Sequence, residues 1–568
     1  MRAGALQKTI DDDVALCRRL RELKTIAATV KRSAMTPLQV CEAIIEGRVA
    51  DRETRRFFSG LPEDEKHYWV SSLYALLMPE HRRRRLATYF TPPYLAQYVI
   101  DLMMSAGLRP GYDRIHDPAS GGAAFLVPLA SRIAASARAK RKPARQIIET
   151  IETTLSGIEI EPRLARLSEL LMADMLKGEL GTVSRRLSLP IVRGNALKRE
   201  PPEHLYDAVV ANPPYGRVYR PSRHLLKEYS PVISDGYVNL YSLFVEQALR
   251  SVRPGGLICL IIPISFVGGS YFSALRRRIM ETAHVVRLDL IDKRSDVFLD
   301  VLYDVGVLLL RKNGAPQKLE PARCALLTVD QRAVDLGPVD LPADPTGRIW
   351  GLPDGSGSGL LFQDGFQTLA DYGYKTKTGY FVWNREQERY RVGKKPRRNE
   401  VPLYWAHNVR ANTLCEPNHD NPPSGNYGFV HVVDGNSAVI MTDAIVLQRT
   451  SNRRQKRRLI GGIVRKNRVP GDRGFVTENH TILILPDPNK KQAVTLKMLC
   501  RLLNSGAVDA RFRRMSGTVS VSTKALRELP LPSASLVRTL FSNSQDDERM
   551  AEIAYERSGL AARKGGRK

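Results

Sequence analysis

Apolar and polar positions alternate along this chain in three different ways. Over residues 1–80 the apolar residues recur at helical spacing, as in 37–48 and 68–78, with few β-branched runs, which predicts a helical N-terminal region. Over 81–312 the pattern becomes one of short apolar runs separated by amphipathic stretches. The runs fall at 114–117, 155–159, 189–192, 208–211, 257–263, 285–291 and 305–310. Strand and helix patterns in such alternation predict an α/β domain, a doubly wound and mostly parallel sheet covered by helices on both faces. Beyond it, 313–365 reads as a connecting segment, because it ends in the exposed-looking stretch GLPDGSGSG at 351–359. Residues 366–535 hold strand-like pieces at 427–433, 438–441 and 481–485 between turns and basic runs, a separate C-terminal domain whose fold the pattern does not name. The charged tail 536–568 offers little to bury and is expected to be disordered.

Composition adds a partner. The 568 residues exceed what one core organises, which fits two or three domains. Lys and Arg number 87 against 59 Asp and Glu, a formal charge of +28, and so large an excess favours a polyanion, most simply nucleic acid. The six cysteines (Cys17, Cys41, Cys259, Cys324, Cys415, Cys500) show neither a CxxC pair nor a disulfide framework, so a reduced compartment is expected and structural zinc is not. The most apolar stretch, 257–267, is too short to span a bilayer, and the N-terminus lacks the apolar core of a signal peptide. A soluble, cytoplasmic protein with no membrane partner is the expectation.

Two motifs sit at strand ends. RIHDPASGGAAFL (114–126) is a strand closing on Asp117, a glycine turn and an apolar helix start. Glycine lets the backbone approach a ligand closely, and the helix that follows presents unpaired N–H groups. The next strand, LSGIEIEP, ends at Glu159, where an open parallel sheet places ligand-binding groups and a carboxylate can accept from both hydroxyls of a ribose. Glu159 lies further along than the roughly twenty residues usual in dinucleotide enzymes, which argues against hydride chemistry.

The second motif, Asn212-Pro213-Pro214-Tyr215, follows the apolar run 208–211. Prolines fix φ and remove donors, leaving a stiff loop of outward carbonyls. An aromatic amino nitrogen is a poor nucleophile because its lone pair is delocalised. The amide oxygen of Asn212 and the carbonyl of Pro213 can accept its two hydrogens and favour the pyramidal nitrogen that attacks a methyl donor. Tyr215 is then placed to stack on the base.

With these motifs the sequence resembles the DNA adenine-N6 methyltransferases of the gamma arrangement, the TaqI-type and Eco57I-type modification methylases, over 82–312. The resemblance implies S-adenosylmethionine as cofactor. ATYFTPPYLA (87–96) matches the family's segment that contacts the methionine moiety, carried by Phe90 and Thr91. The D-P-x-x-G-x-G turn matches Asp117, Pro118, Ala119 and Gly121, with Ala123 in place of the last glycine. Glu159 matches the ribose acid and Ile160 the contact to the adenine ring. Asn195, followed by Ala196, aligns with a position usually held by aspartate. Phe298 matches an aromatic that packs with Tyr215 on the extruded base, base flipping being required because an amino group inside a duplex is unreachable. No metal is implied.

The C-terminal part then reads as a target-recognition domain on double-stranded DNA. YGYKTKTGYFVWNR (372–385), with Lys375 and Lys377, and SNRRQKRRL (451–459), with Arg453, Arg454, Arg457 and Arg458, interleave cations with aromatics or turns. Residues 513–532 look like the end of such domains in Eco57I-type enzymes. No metal-nuclease constellation is present in the sequence, so a restriction endonuclease partner is expected on a separate chain. Alternatives remain: an RNA adenine methyltransferase, a protein glutamine methyltransferase, or a DNA-binding specificity subunit whose catalytic domain has decayed, given Ala123 and Asn195. Cytosine-N4 methylation is disfavoured because those enzymes usually begin the tetrapeptide with Ser.

Overall fold

The computed structural model describes residues 18–565 except 50, 87–90, 184–187, 189–190, 201–202, 235, 293–304, 315–319, 329–331, 344, 346, 356–360, 363–364, 422, 434, 451–455 and 516–519. The chain divides into two compact units. The first comprises 1–264, 274–339 and 343–347, and the second 265–273, 340–342 and 348–568.

Among the described residues of the first unit nine strands form one sheet. They are β1 (Ile115–Asp117), β2 (Leu155–Glu159), β3 (Ile191–Arg193), β4 (Tyr206–Ala211), β5 (Val252–Pro263), β6 (Ala283–Ile291), β7 (Val305–Lys312), β8 (Arg323–Leu327) and β9 (Ala333–Pro338), in the order β3-β2-β1-β4-β5-β7-β6-β8-β9. β3, β2, β1, β4 and β5 are mutually parallel, and β7 enters antiparallel between β5 and β6. The expected doubly wound, mostly parallel sheet is the observed one, and each of the seven apolar runs overlaps a strand. β4 and β5 read as unbroken apolar runs because both faces are covered: Ala208 to Ala211 and Leu257 to Ile262 are all buried.

The covering helices bury one stripe each. Helix Leu126–Ala139 turns Leu126, Leu129, Ala130, Ile133 and Ala137 inward at spacings of three and four, and helix Ala144–Thr154 does the same with Ile147, Ile148 and Ile151. The expected N-terminal helices are present as Pro37–Ile45, Arg52–Ser59, Glu63–Leu77 and Glu80–Leu86. They form part of the first unit rather than a body of their own. The reason is visible in Trp69, Val70, Leu73 and Tyr74, which are all buried.

The sheet does not stop at residue 312. β8 and β9 lie in the segment read as a connection. Its one buried strand, RCALL, is too short to stand out from the polar residues around it.

The second unit holds two four-stranded sheets built from β10 (Tyr374–Thr378), β11 (Tyr390–Gly393), β12 (Glu400–Tyr404), β13 (Tyr427–His431), β14 (Ala444–Gln448), β15 (Gly461–Val464), β16 (Val476–Thr477) and β17 (Thr481–Pro486). Their orders are β10-β17-β14-β15 and β11-β13-β12-β16. The strand-like piece 438–441 is not a strand, although Ile440 pairs with Phe475 in an isolated bridge.

The tail departs from the expected disorder. Helices Ala534–Asn543 and Asp547–Gly565 place Val537, Phe541, Ala551, Ala554 and Tyr555 in the core of the unit. The Tyr555 hydroxyl donates to the Pro530 carbonyl at 2.9 Å, and the Arg511 guanidinium lies 3.5 Å over its ring. High charge hid the spacing of these few apolar residues, which is enough to dock a helix.

Candidate active site

In an open parallel sheet the ligand crevice lies outside the carboxyl ends of the strands, where strand order reverses. Here the reversal falls between β1 and β4, and three sequence motifs end there. Asp117 is the last residue of β1, Glu159 the last of β2, and Asn212 follows the last residue of β4.

The glycine turn is tied down from two sides. Glu159 is only 7% exposed; one carboxylate oxygen accepts the Gly121 N–H at 2.9 Å, the other the Glu161 N–H at 2.8 Å. Ser168, on the helix Pro162–Met175, donates to the Gly121 carbonyl at 2.5 Å. No motif announced Ser168; a lone serine in an amphipathic helix carries no sequence signature. Burial raises the Glu159 carboxyl above its ordinary range, with the two N–H donors acting against that. Burial likewise pushes Asp117 up to about 8, opposed by the Ala119 N–H at 3.0 Å and reinforced by the neighbouring charge of Glu159.

Ala123 sits at φ 59°, in the left-handed region, and is fully buried. The matching family position is glycine for this reason, since a Cβ is costly there. The turn keeps its shape nonetheless, with the Ala123 N–H donating to the Ser120 carbonyl at 2.8 Å.

Of the other expected cofactor contacts, Pro118 and Ala119 form the turn beside β1, and Ile160 stands half exposed at the end of β2. Asn195 caps a short turn of helix, its Oδ1 accepting from the Leu197 N–H at 3.0 Å, and the Ala196 carbonyl accepts from Gln247 Nε2 at 2.7 Å. Phe90 and Phe298 lie outside the described residues.

The catalytic tetrapeptide is more rigid than the prolines alone require. Asn212 Nδ2 donates to the Thr91 hydroxyl at 3.1 Å, while Oδ1 accepts from the Tyr215 hydroxyl at 2.5 Å. This hydroxyl also lies 3.1 Å from the Ile261 carbonyl on β5. Both ends of the amide are thereby held, its oxygen retaining a second lone pair for another donor. Tyr215 is 8% exposed, and burial raises its phenol pKa. Thr91, which the sequence assigned to the cofactor, here reaches the catalytic asparagine as well.

These groups fit S-adenosylmethionine. A buried carboxylate at the end of β2 keeps lone pairs for ribose hydroxyls, an apolar side chain stands open beside it, and a backbone turn without bulky side chains adjoins both.

The recognition residues fare unevenly. Lys375 on β10 is exposed, and Lys377 donates to the Ser437 carbonyl at 2.7 Å. Arg453 and Arg454 lie outside the described residues. Arg457 is ion-paired with Glu548. Arg458 corrects the expectation of a phosphate contact: it is 0% exposed, its backbone N–H donates to Asp509, and its guanidinium lies 5.7 Å from the Phe512 ring centroid. Within a basic run, one cation has been spent on the core.

Comparison with known proteins agrees with the motifs. Residues 193–298 match the model of the Eco57I restriction-modification methylase. The chain is 25% identical over 345 residues to the Type II methyltransferase M.PstI of Providencia stuartii, covering 58% of this chain and 65% of that protein. It is 24% identical over 351 residues to M.BsuBI of Bacillus subtilis, covering 58% and 66%. The chain thus spans just under two thirds of the length of these curated relatives. In fold it is similar to the Type IIL restriction-modification enzyme MmeI, solved in complex with DNA, with a TM-score of 0.51 at 12% identity over 94% of this chain and 87% of that one. Fold, motif placement and sequence matches converge: the chain belongs to the modification methylases, whose methyl donor is S-adenosylmethionine.

Proposed function

We propose that the chain is a site-specific DNA methyltransferase that methylates N6 of adenine in duplex DNA after base flipping, as the modification enzyme of a restriction-modification system. The observation that carries this reading is the Asn212 amide, pinned between Thr91 and Tyr215 at the carboxyl end of β4 with one acceptor position left over. An exocyclic amino group needs such an acceptor, together with the Pro213 carbonyl, to localise its lone pair and stabilise the positive charge that grows on nitrogen.

When bound, S-adenosylmethionine supplies an electrophilic methyl carbon on a sulfonium. The chain's own part is positioning. Glu159 and the glycine turn hold the donor; Asn212 and Pro213 accept the two N–H bonds of the amino group. The nitrogen lone pair forms the new N–C bond as the C–S bond breaks, and the surplus proton leaves to solvent afterwards. No strong base is needed, because the amine is acidified by the transfer itself. Tyr215 and Phe298 are assigned to the flipped base, whose extrusion costs a few kcal/mol that stacking offsets.

The charge of +28 and the exposed Lys375 support DNA as the partner of the C-terminal domain. A cognate endonuclease on another chain and a cytoplasmic site of action complete the reading. The deciding experiment is sequencing of genomic DNA from cells expressing the wild type or Asn212→Ala, scored for N6-methyladenine by context. Methylation at one motif, absent with the variant, is the expected result. Methylation of structured RNA without DNA, or of cytosine, overturns the substrate assignment.

A further inference from the structure

Beside the glycine turn the first unit contains a cavity of about 120 Å³, walled by Gly122, Ala123, Thr91 and Gln97 and closed by His67 and Ser71 of the N-terminal helix Glu63–Leu77. No motif pointed to this helix. His67 is 5% exposed and Ser71 2%, and they stand four residues apart, on one face of the helix.

Both are incompletely satisfied. His67 Nε2 lies 3.0 Å from an Asp174 oxygen, and Lys66 and Lys177 approach that same carboxylate at 4.0 and 3.7 Å. His67 Nδ1 and the Ser71 hydroxyl have no hydrogen-bond partner. Buried polar atoms of this kind are costly unless something completes them. With Nε2 donating to Asp174, the ring orientation is fixed and Nδ1 is left as an acceptor. Four residues on, the serine hydroxyl is a donor. An acceptor beside a donor, in a small cavity against a cofactor turn, complements a group carrying both an ammonium and a carboxylate.

We infer that this cavity receives the amino-acid end of the methyl donor, with His67 Nδ1 accepting from its ammonium and the Ser71 hydroxyl donating to its carboxylate. The cavity has room for an amino-acid tail and not for a nucleoside, which leaves the nucleoside to Glu159 and Ile160. The N-terminal helices therefore complete the cofactor site, in keeping with their place in the same compact unit. The inference rests on the chain's use of S-adenosylmethionine and adds which residues hold one end of it.

The test is calorimetric titration of the full chain with S-adenosylhomocysteine and with 5′-methylthioadenosine, which lacks the amino acid. His67→Leu and Ser71→Ala are each expected to weaken S-adenosylhomocysteine binding about tenfold or more, as for loss of a hydrogen bond to a charged group. Binding of 5′-methylthioadenosine should be unchanged. Equal weakening of both ligands, or of neither, overturns the assignment while leaving the cofactor itself in place. A wild type that binds neither ligand overturns the cofactor reading and this inference with it. Should His67→Leu fail to fold, because Asp174 loses a partner, Ser71→Ala removes one oxygen and carries the test alone.

Discussion

The hydroxyl of Tyr215 donates to Oδ1 of Asn212 across 2.5 Å, so the last residue of the catalytic loop orients the first. Two roles for the tyrosine can then be separated. A ring that only stacks on a base has no need of its hydroxyl, whereas a ring that sets the amide does. Tyr215→Phe is expected to lower kcat about tenfold, the worth of one well-placed hydrogen bond, with S-adenosylhomocysteine affinity unchanged. Asn212→Ala and Tyr215→Ala should abolish turnover, also without loss of the cofactor. Single-turnover kinetics beside calorimetry checks this, and a Tyr215→Phe enzyme of full activity would leave only the stacking role.

Glu159 behaves differently because it serves both the turn and the ligand. Its oxygens hold the N–H groups of Gly121 and Glu161, and the lone pairs that remain are those assigned to the ribose. Glu159→Ala is expected to weaken S-adenosylhomocysteine binding at least tenfold before any effect on the chemical step, since two buried donors lose their acceptor at the wall of the site. Saturating cofactor should restore much of the rate. A variant that binds normally but turns over slowly would place Glu159 in catalysis instead.

Asp117 makes stability depend on pH in a direction opposite to most carboxylates. Burial pushes it up to about 8 from an ordinary value of 3.8, so between these values the folded chain holds a proton that the unfolded chain has released. Stability from this group is therefore complete below about pH 4 and falls as pH rises towards 8. Asp117→Asn removes the titration. The difference in melting temperature between the variant and the wild type should shift in favour of the variant from pH 5 to pH 8. Parallel curves would show that the carboxyl is ionised throughout.

How far the site was legible follows from where its information resides. Asp117, Glu159 and Asn212 could be placed from sequence because each terminates an apolar run, and a strand's end is set by that run. The pinning of Asn212 by Thr91 and Tyr215 could not be, since it depends on side-chain direction in a folded loop. His67, Ser71 and Ser168 were invisible for a related reason: isolated polar residues on apolar helices acquire meaning only from what the helix packs against. The terminal helices were missed through overweighting charge, although Ala551, Ala554 and Tyr555 already lay on one stripe.

Arg458 shows the same error within a basic run and gives the last prediction. Charge alone groups it with Arg453, Arg454 and Arg457, but it is buried on Phe512 with its backbone held by Asp509. Asp509 also accepts from the Leu459 N–H at 3.2 Å and from Arg513 Nε at 2.6 Å, so the cation is part of a buried polar network. Removing a buried charge from such a network is strongly destabilising, on the order of 3–5 kcal/mol. Arg458→Ala should therefore lower the melting temperature of the chain. At a temperature where that variant is folded, its DNA affinity should decline with salt as steeply as that of the wild type. Neutralising Lys375, Arg453 and Arg454 together should do the reverse, flattening the salt dependence by about three phosphate contacts while leaving the melting temperature nearly unchanged. Titrations of labelled duplex at several salt concentrations, paired with thermal melts, distinguish the two classes. An Arg458→Ala chain of normal stability with a flattened salt slope would return that residue to the DNA interface.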